Sequence, residues 1–525
     1  MLSGGMGRFG ARLAVLRGKG LSWRSRLGHG PAVVWLSAFG ASLILFMVRL
    51  MLPTPVGQAD NHDGPRLMCW LGLGPVVIRG YRRWYLYAYF QYVPHQACAD
   101  VPRYPSSELV PLELTRLLMP LLGLPGTLNL VALGVLNCVI ASFAIASLAT
   151  GLRLRPWAQL AVAAAVWLIM ADAAFFDVYA SPFSEPAALL GLLLFAAGVV
   201  YLGRGWRATA FGLVLAGSGG FLAILAKEQY LALAVPICLT LALANATRGR
   251  RRWPCWPHTR QAGAAVAVAA LLATMTAGYA IWDNVSRYGA RLHHEQAVDM
   301  IFTDIVTSDR NAPAALGALG LPASWEEYAG HDYWDSVSVR HDPLFSRYVG
   351  QLTDVNIAQF LLTHPGSILG VGQHAAILAQ HFRVTTLGNY PPSAGRPPGA
   401  SETRVVALTW LMHLLPPGWG LWWLIPLWAA MVAVGVGSLP RRRGTGWQRD
   451  GGILVLSMTA CAVAAFIPPA YFAGISTTRH MVGMNVATAL AFSVSVALAT
   501  SMIHRLLARP RCPSPAPARG PGRAS

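Results

Sequence analysis

Ten apolar stretches alternate with polar breaks along this chain, at about 32–52, 126–150, 157–173, 184–203, 209–226, 229–246, 262–282, 419–438, 451–471 and 481–503. Each is long enough to cross a bilayer as a helix, which takes about 17–25 residues. Two of the breaks are long, 53–125 and 283–418; the others are short turns. The pattern predicts an all-α, polytopic transmembrane protein of about ten spans, with two sizeable helical loops on one side. In the first loop, Ser106-Ser107-Glu108 opens a helical run through Leu109, Leu112, Leu117 and Leu118. It reads as a short helix lying on the membrane surface or, more blandly, as a re-entrant or packed segment. In the second loop the pattern predicts helices over 356–362 and 367–382, an irregular Pro/Gly-rich stretch over 389–400, and an amphipathic or membrane-skimming helix over 402–415. Gly217-Ser218-Gly219-Gly220 lies inside an apolar stretch and reads as helix packing or a kink.

Composition supports a membrane protein. Of 525 residues, 54% are hydrophobic and 12% charged, and mean hydropathy is +0.46; a soluble domain carries about 25% charged residues. The formal charge of +19 invites a nucleic-acid reading. Its distribution gives a simpler one. With the N-terminus inside, the inner segments hold 24 of the 41 Lys and Arg but one of the 22 acids, Asp450. Arg248-Gly249-Arg250-Arg251-Arg252 and Arg441-Arg442-Arg443 are the densest clusters. Basic short loops mark the cytoplasmic side. The excess is thus a topology signal, satisfied by anionic lipid and needing no nucleic acid. Both termini are expected in the cytoplasm and both long loops outside.

The division that follows is a basic cytoplasmic segment 1–31, a membrane module 32–282 that includes the loop 53–125, an extracytoplasmic region 283–418, C-terminal spans 419–503 and a basic, disordered tail 504–525. Residues 1–59 also fit a signal peptide, with Gly57-Gln58-Ala59 as a cleavage site, but the apolar region is longer than the usual 7–15 residues, which favours an uncleaved span. No inner segment has room for a nucleotide-binding domain, and no internal repeat is visible, which weighs against a secondary transporter.

Seven cysteines are present. Cys138, Cys238 and Cys461 lie in spans as small apolar residues. Cys255 and Cys512 lie in inner segments, while Cys69 and Cys98 share the first outer loop, where a disulfide is able to persist. None of the cysteine spacings is that of a zinc site.

Ionisable groups gather at the outer ends of the spans: Asp60, Asp63 and Arg66 after the first, Asp172 and Asp177 after the third, Glu185 at the start of the fourth, Lys227 and Glu228 in the turn before the sixth, and Arg479 and His480 before the tenth. Such groups at membrane depth are functional candidates by default. Each also has a plain reading: a solvated turn for Lys227 and Glu228, a first-turn acid for Glu185, interfacial anchors for Arg479 and His480, structural carboxylates for Asp172 and Asp177. Asp60 leads as a catalytic candidate because Asp63 and Arg66 surround it in sequence. The loop histidines His293, His294, His331, His341, His364, His374 and His381 have no metal-binding spacing.

Asp60-Asn61-His62-Asp63 after the first span, Ser184-Glu185-Pro186 at the fourth and Ala226-Lys227-Glu228-Gln229-Tyr230 in a tight turn together resemble the GT-C superfamily of integral-membrane glycosyltransferases, over nearly the whole chain. The departure is that the acids of the first motif are not adjacent, so either Asp60 or Asp63 is the base. The resemblance implies a bacterial plasma-membrane enzyme, a fit to the Ala/Arg/Gly-rich composition of a high-GC genome. It implies transfer of a hexose or pentose, with inversion, from a polyprenyl-phosphate donor to a cell-envelope glycan, lipid or protein acceptor. A carboxylate then takes the acceptor proton, while Arg66, Glu185, Lys227, Glu228, Arg479 and His480 bind substrate and the basic ones steady the phosphate. A divalent cation (Mg or Mn) on Asp60 and Asp63 stays open. The rival classes are a flippase or transporter for a lipid-linked glycan and an O-antigen-type polymerase.

Overall fold

A computed structural model describes residues 30–507 apart from 62, 77–83, 96–97, 99–100, 102, 247–256, 382, 384–385, 440–445, 473 and 475–476. Residues 1–29 and 508–525, the clusters at 248–252 and 441–443, His62, Cys255 and Cys512 therefore lie outside the described residues.

Each of the ten apolar stretches contains a helix: α1 Pro31–Met51, α2 Leu130–Gly151, α3 Pro156–Met170, α4 Glu185–Val199, α5 Trp206–Ile224, α6 Ala234–Ala246, α7 Pro257–Val285, α8 Leu421–Ser438, α9 Gly446–Tyr471 and α10 Val482–Leu507. Among the described residues seven are long and apolar enough to cross a membrane, or eight if α3 counts as one span with 173–180, to which it is joined across a 66° bend. The others of the ten fall short by length, for reasons visible in the packing. The bend falls where Asp172 leaves α3 to cap the next turn, accepting from Ala174 N–H at 3.1 Å. α6 is preceded by a 3-10 turn, Glu228–Leu233, which shortens its α-helical part. α4 has 15 residues, all of them buried. At about 1.5 Å per residue it reaches barely 22 Å, and being wrapped by protein it has no bilayer thickness to match.

α4 packs against α5 through glycines. Gly191 and Gly198 face Gly219 and Gly212, so closely that a Cβ on Gly219 would lie 2.4 Å from Phe195 N and one on Gly198 2.4 Å from Ala216 N. Small residues of this kind let two backbones meet inside a membrane. Gly219 is thus a packing residue, one of the two readings its run allowed. On α1 the buried residues Val34, Ala38, Ser42, Phe46 and Leu50 form one face, and Leu36, Ile44 and Val48 are exposed on the other. That is the helical period of a segment with one side on protein and one on lipid.

The all-α expectation needs one correction. The first long loop and the residues just before α2 form a three-stranded antiparallel sheet, Leu73–Pro75, Gln91–Pro94 and Leu128–Asn129, with Leu73 opposite Pro94 and Tyr92 opposite Leu128. Cys69 and Cys98 are disulfide-bonded there, with Cα atoms 5.3 Å apart. The expected surface helix is present as Leu109–Leu118, with Leu112 buried and Val110, Leu114 and Leu117 exposed.

The second long loop has its own core, built on Phe302, Leu316, Trp325, Ile357 and Val371. Helices Asp354–Thr363, Pro365–Gln380 and Ala407–His413 match the three expected ones within a few residues. Gln373 fastens this unit to the bundle: its carbonyl accepts from Leu421 N–H at 2.8 Å at the start of α8, and its amide donates to Gly418 O at 2.6 Å. His293 joins helix Arg287–Asp299 to both neighbours, 3.1 Å from Asp283 and 2.7 Å from Asp354. The hydrogen bonds to these two carboxylates, opposed by partial burial, raise His293 to about 10. A raised histidine pKa contributes stability in full below its unfolded value near 6.5 and loses it as pH climbs through about 10. His293→Gln should therefore lower the melting temperature by a few degrees at pH 6, and the gap from wild type should close towards pH 10. An equal gap at both pH values would refute the ionic link.

Candidate functional site

Four chain segments converge where α1, α4, α5 and α10 have their ends on the loop side of the bundle. The first follows α1. Residues 55–61 have no regular secondary structure and are pinned to the second loop: Gly57 N–H donates to Asn389 O at 3.1 Å, Ala59 N–H to Gly388 O at 2.8 Å, and Asn389 Nδ2 to Gly57 O at 2.9 Å. The chain then turns into the short helix Gly64–Met68.

This turn separates the two leading carboxylates. Asp60 is buried, and its Oδ1 accepts from Gly64 N–H at 2.9 Å. It serves the start of the short helix, a usual task for an aspartate there. Asp63 faces the other way, into a cavity of about 480 Å³, whose lining includes Asn61, Asp63, Arg66, Lys227, Arg479 and His480. Asp63 Oδ1 is 3.2 Å from Arg66 Nη1, and Oδ2 is 3.6 Å from Lys227 Nζ and in contact with Arg479 Nη2. Burial alone would push the Asp63 carboxyl up; Lys227, Arg479 and Arg66 outweigh it and hold the group well below the usual carboxylate range.

Arg479 is the hub. Besides Asp63, its Nε lies 3.2 Å from Glu185 Oε1, at the first residue of α4, and its guanidinium sits 5.0 Å over the Phe183 ring. His480 beside it is 4% exposed, and neither ring nitrogen has a protein partner among the described residues. Burial, then Lys227 and Arg479, push its pKa well below the ordinary histidine value, so it is neutral. Of the eight site residues expected from sequence, Asp63, Arg66, Lys227, Arg479 and His480 line the cavity together. Asp60, Glu185 and Glu228 are not in its lining. Glu185 borders instead a narrow cleft on the far side of Arg479, with Gln58, Asp177 and Arg383, and Glu228 opens the 3-10 turn next to Lys227.

The remaining wall comes from the second loop: Leu292, Glu295, Gln296 and Asp299, on helix Arg287–Asp299, and Trp334. Sequence reasoning passed over these residues. The only trace was two acids four apart, at 295 and 299, which share a helix face.

Asp172 and Asp177 are accounted for structurally. Besides Ala174 N–H, Asp172 accepts from Leu408 N–H at 2.8 Å and Thr409 Oγ1 at 2.8 Å, starting helix Ala407–His413. Asp177 lies 3.6 Å from Arg49 and 3.5 Å from Arg383, and Arg49 also binds Glu402 at 3.2 Å. Arg49, buried in the last turn of α1, was not foreseen. At the opposite end of the bundle Asp450 pairs with Arg204 at 2.6 Å.

A divalent cation takes an oxygen-rich shell. The partners of Asp63 are two guanidinium groups and an ammonium, and Asp60 is engaged by Gly64 N–H. Among the described residues no group of three or more His, Cys, Asp or Glu is placed to hold a metal. The donor set around Asp63 fits an anionic ligand better than a cation.

A family model described as YfdI N-terminal transmembrane domain matches residues 21–505. No curated protein and no solved structure gives a significant match.

Proposed function

The chain belongs to the family of the YfdI N-terminal transmembrane domain, and on that premise we propose that it is a multi-pass GT-C-type glycosyltransferase that moves a sugar from a polyprenyl-phosphate donor to a cell-envelope acceptor. The observation that carries this reading is one carboxylate, Asp63, set among Arg66, Lys227, Arg479 and the neutral His480 in a cavity of about 480 Å³. That volume is ordinary for a small-ligand site, about 300–1,000 Å³. Arg66, Lys227 and Arg479 offer charge-assisted hydrogen bonds to a phosphate. Asp63 takes the acceptor proton as the anomeric carbon is attacked and the lipid phosphate leaves.

The same cations that suit the phosphate make Asp63 a weak base in the free site. A phosphate that docks on them takes up part of their charge, and Asp63 regains proton affinity. Base strength thus rises when the donor is bound, which limits proton abstraction to the loaded site. We place the cavity on the extracytoplasmic face of a bacterial plasma membrane, with both termini cytoplasmic. The Cys69–Cys98 disulfide in the neighbouring loop supports an oxidising side. So does the basic excess of the short loops at the other end.

Lys227→Ala tests the phosphate end. Among the described residues Lys227 is ion-paired with Asp63, whereas Arg479 also ties down Glu185, so the lysine is the cleaner probe. A lost hydrogen bond to a charged group costs about 1.5–3 kcal/mol, so KM for the polyprenyl-phosphate sugar should rise roughly tenfold or more, with kcat less affected. Purified protein in detergent, assayed over a donor series, gives both numbers. An unchanged KM would remove the phosphate from this end of the cavity.

A further inference from the structure

The cavity has two chemically different ends. Arg66, Lys227 and Arg479 make one cationic. Helix Arg287–Asp299 brings Glu295 and Asp299 to the other, with Trp334 beside them. We infer that this second end is a subsite for the uncharged sugar ring, with Glu295 and Asp299 binding its hydroxyls and Trp334 stacking on its apolar face. The inference rests on the glycosyltransferase reading and adds to it the location and charge class of the sugar.

Two observations carry it. Glu295 and Asp299 border the cavity and, at 6% and 2% exposed, are withdrawn from bulk solvent. The Glu295 carboxylate so placed disfavours a phosphate at its end and leaves it the cationic one. Asp299 and Trp334 are built as one piece: Asp299 Oδ1 accepts from Tyr333 N–H at 2.6 Å, one residue before Trp334, and the Arg340 guanidinium lies 5.1 Å over the Trp334 ring. Sugars present both hydroxyls and a face of C–H groups, which calls for acceptors next to an aromatic ring. Burial raises Asp299 to about 8, so near neutral pH it donates a hydrogen bond as well as accepting one. The subsite takes a neutral hexose or pentose and repels a uronate, whose charge matches that of Glu295.

Binding separates this inference from the reading beneath it. Three probes are titrated onto purified protein in detergent: polyprenyl phosphate, polyprenyl-phosphate glucose and polyprenyl-phosphate glucuronate. Wild type should bind the glucose lipid at least tenfold more tightly than the bare phosphate, about 1.4 kcal/mol, and the glucuronate lipid no better than the phosphate. Trp334→Ala and Glu295→Gln should each erase most of the glucose gain and leave polyprenyl phosphate binding unchanged; Trp334→Phe should restore it. Unchanged binding of the bare phosphate also certifies that the variants are folded. A glucose gain that survives both substitutions, or equal weakening of all three lipids, would overturn the subsite and leave the glycosyltransferase reading intact. A wild-type protein that binds none of the three would overturn both.

Discussion

Asp63→Asn should abolish sugar transfer while Asp60→Asn leaves most of it. The two carboxylates are three positions apart, and their surroundings separate them. Asp60 spends Oδ1 on the Gly64 N–H and is not in the cavity lining; Asp63 lines the cavity and meets all three cations. Asparagine at 60 retains an oxygen for Gly64, so the short helix keeps its start. Asparagine at 63 keeps the shape but takes no proton, and loss of a general base typically costs 10²–10⁴-fold in rate. It also leaves Arg66, Lys227 and Arg479 without their shared anion. Unbalanced buried charge is destabilising, so turnover alone is an ambiguous readout. Donor binding resolves it. With the competing carboxylate gone, Asp63→Asn should bind polyprenyl phosphate at least as tightly as wild type while turning over nothing. Inactive protein that also fails to bind the lipid phosphate would point to a structural role. Full activity in Asp63→Asn, with Asp60→Asn inactive, would hand the base to Asp60.

The choice between Asp60 and Asp63 is a case of what a sequence conceals. Both follow the first span, both are near Arg66, and the local pattern ranks Asp60 first. The ranking turns on which side chain the 60–64 turn directs at a backbone amide, and that turn is set by contacts with Gly388 and Asn389 more than three hundred residues away. Glu295, Asp299 and Trp334 were hidden for the same reason: their helix pattern is local, but their approach to Lys227 and Arg479 is a property of how the second loop folds over the bundle. What is legible is whatever composition alone enforces. Every apolar stretch became a helix because a bare backbone in lipid must bond to itself. Hydropathy does not tell a helix wrapped by protein from one wrapped by lipid, so the short α-helical parts of α4 and α6 were not foreseen. The three strands of the first loop, at most four residues each, are too short to show alternation. Lys227, Arg479 and His480 were found because ionisable groups at span ends are costly enough to be noticed wherever they fall.

The second large effect lies away from the site, at the contact of α4 and α5. Gly219→Leu should prevent folding. A Cβ on Gly219 would sit 2.4 Å from Phe195 N and 2.6 Å from Gly191 O, both backbone atoms of a fully buried helix that has no room to retreat. Overpacking by a few atoms ordinarily costs about 1–3 kcal/mol, because side chains shift; here the helices themselves must part. Separation would withdraw Glu185, the first residue of α4, from Arg479, and displace Lys227, which follows α5. Even Gly219→Ala should lower the melting temperature clearly. Gly278 on α7 supplies the control: nothing lies within 4 Å of a Cβ there, so Gly278→Leu should fold and elute as wild type, with an added leucine exposed to lipid. Size-exclusion profiles and thermal unfolding in detergent for the three variants decide the matter. A monodisperse, normally stable Gly219→Leu protein would mean that α4 and α5 do not meet through their glycines, and that the site is not held in place by their contact.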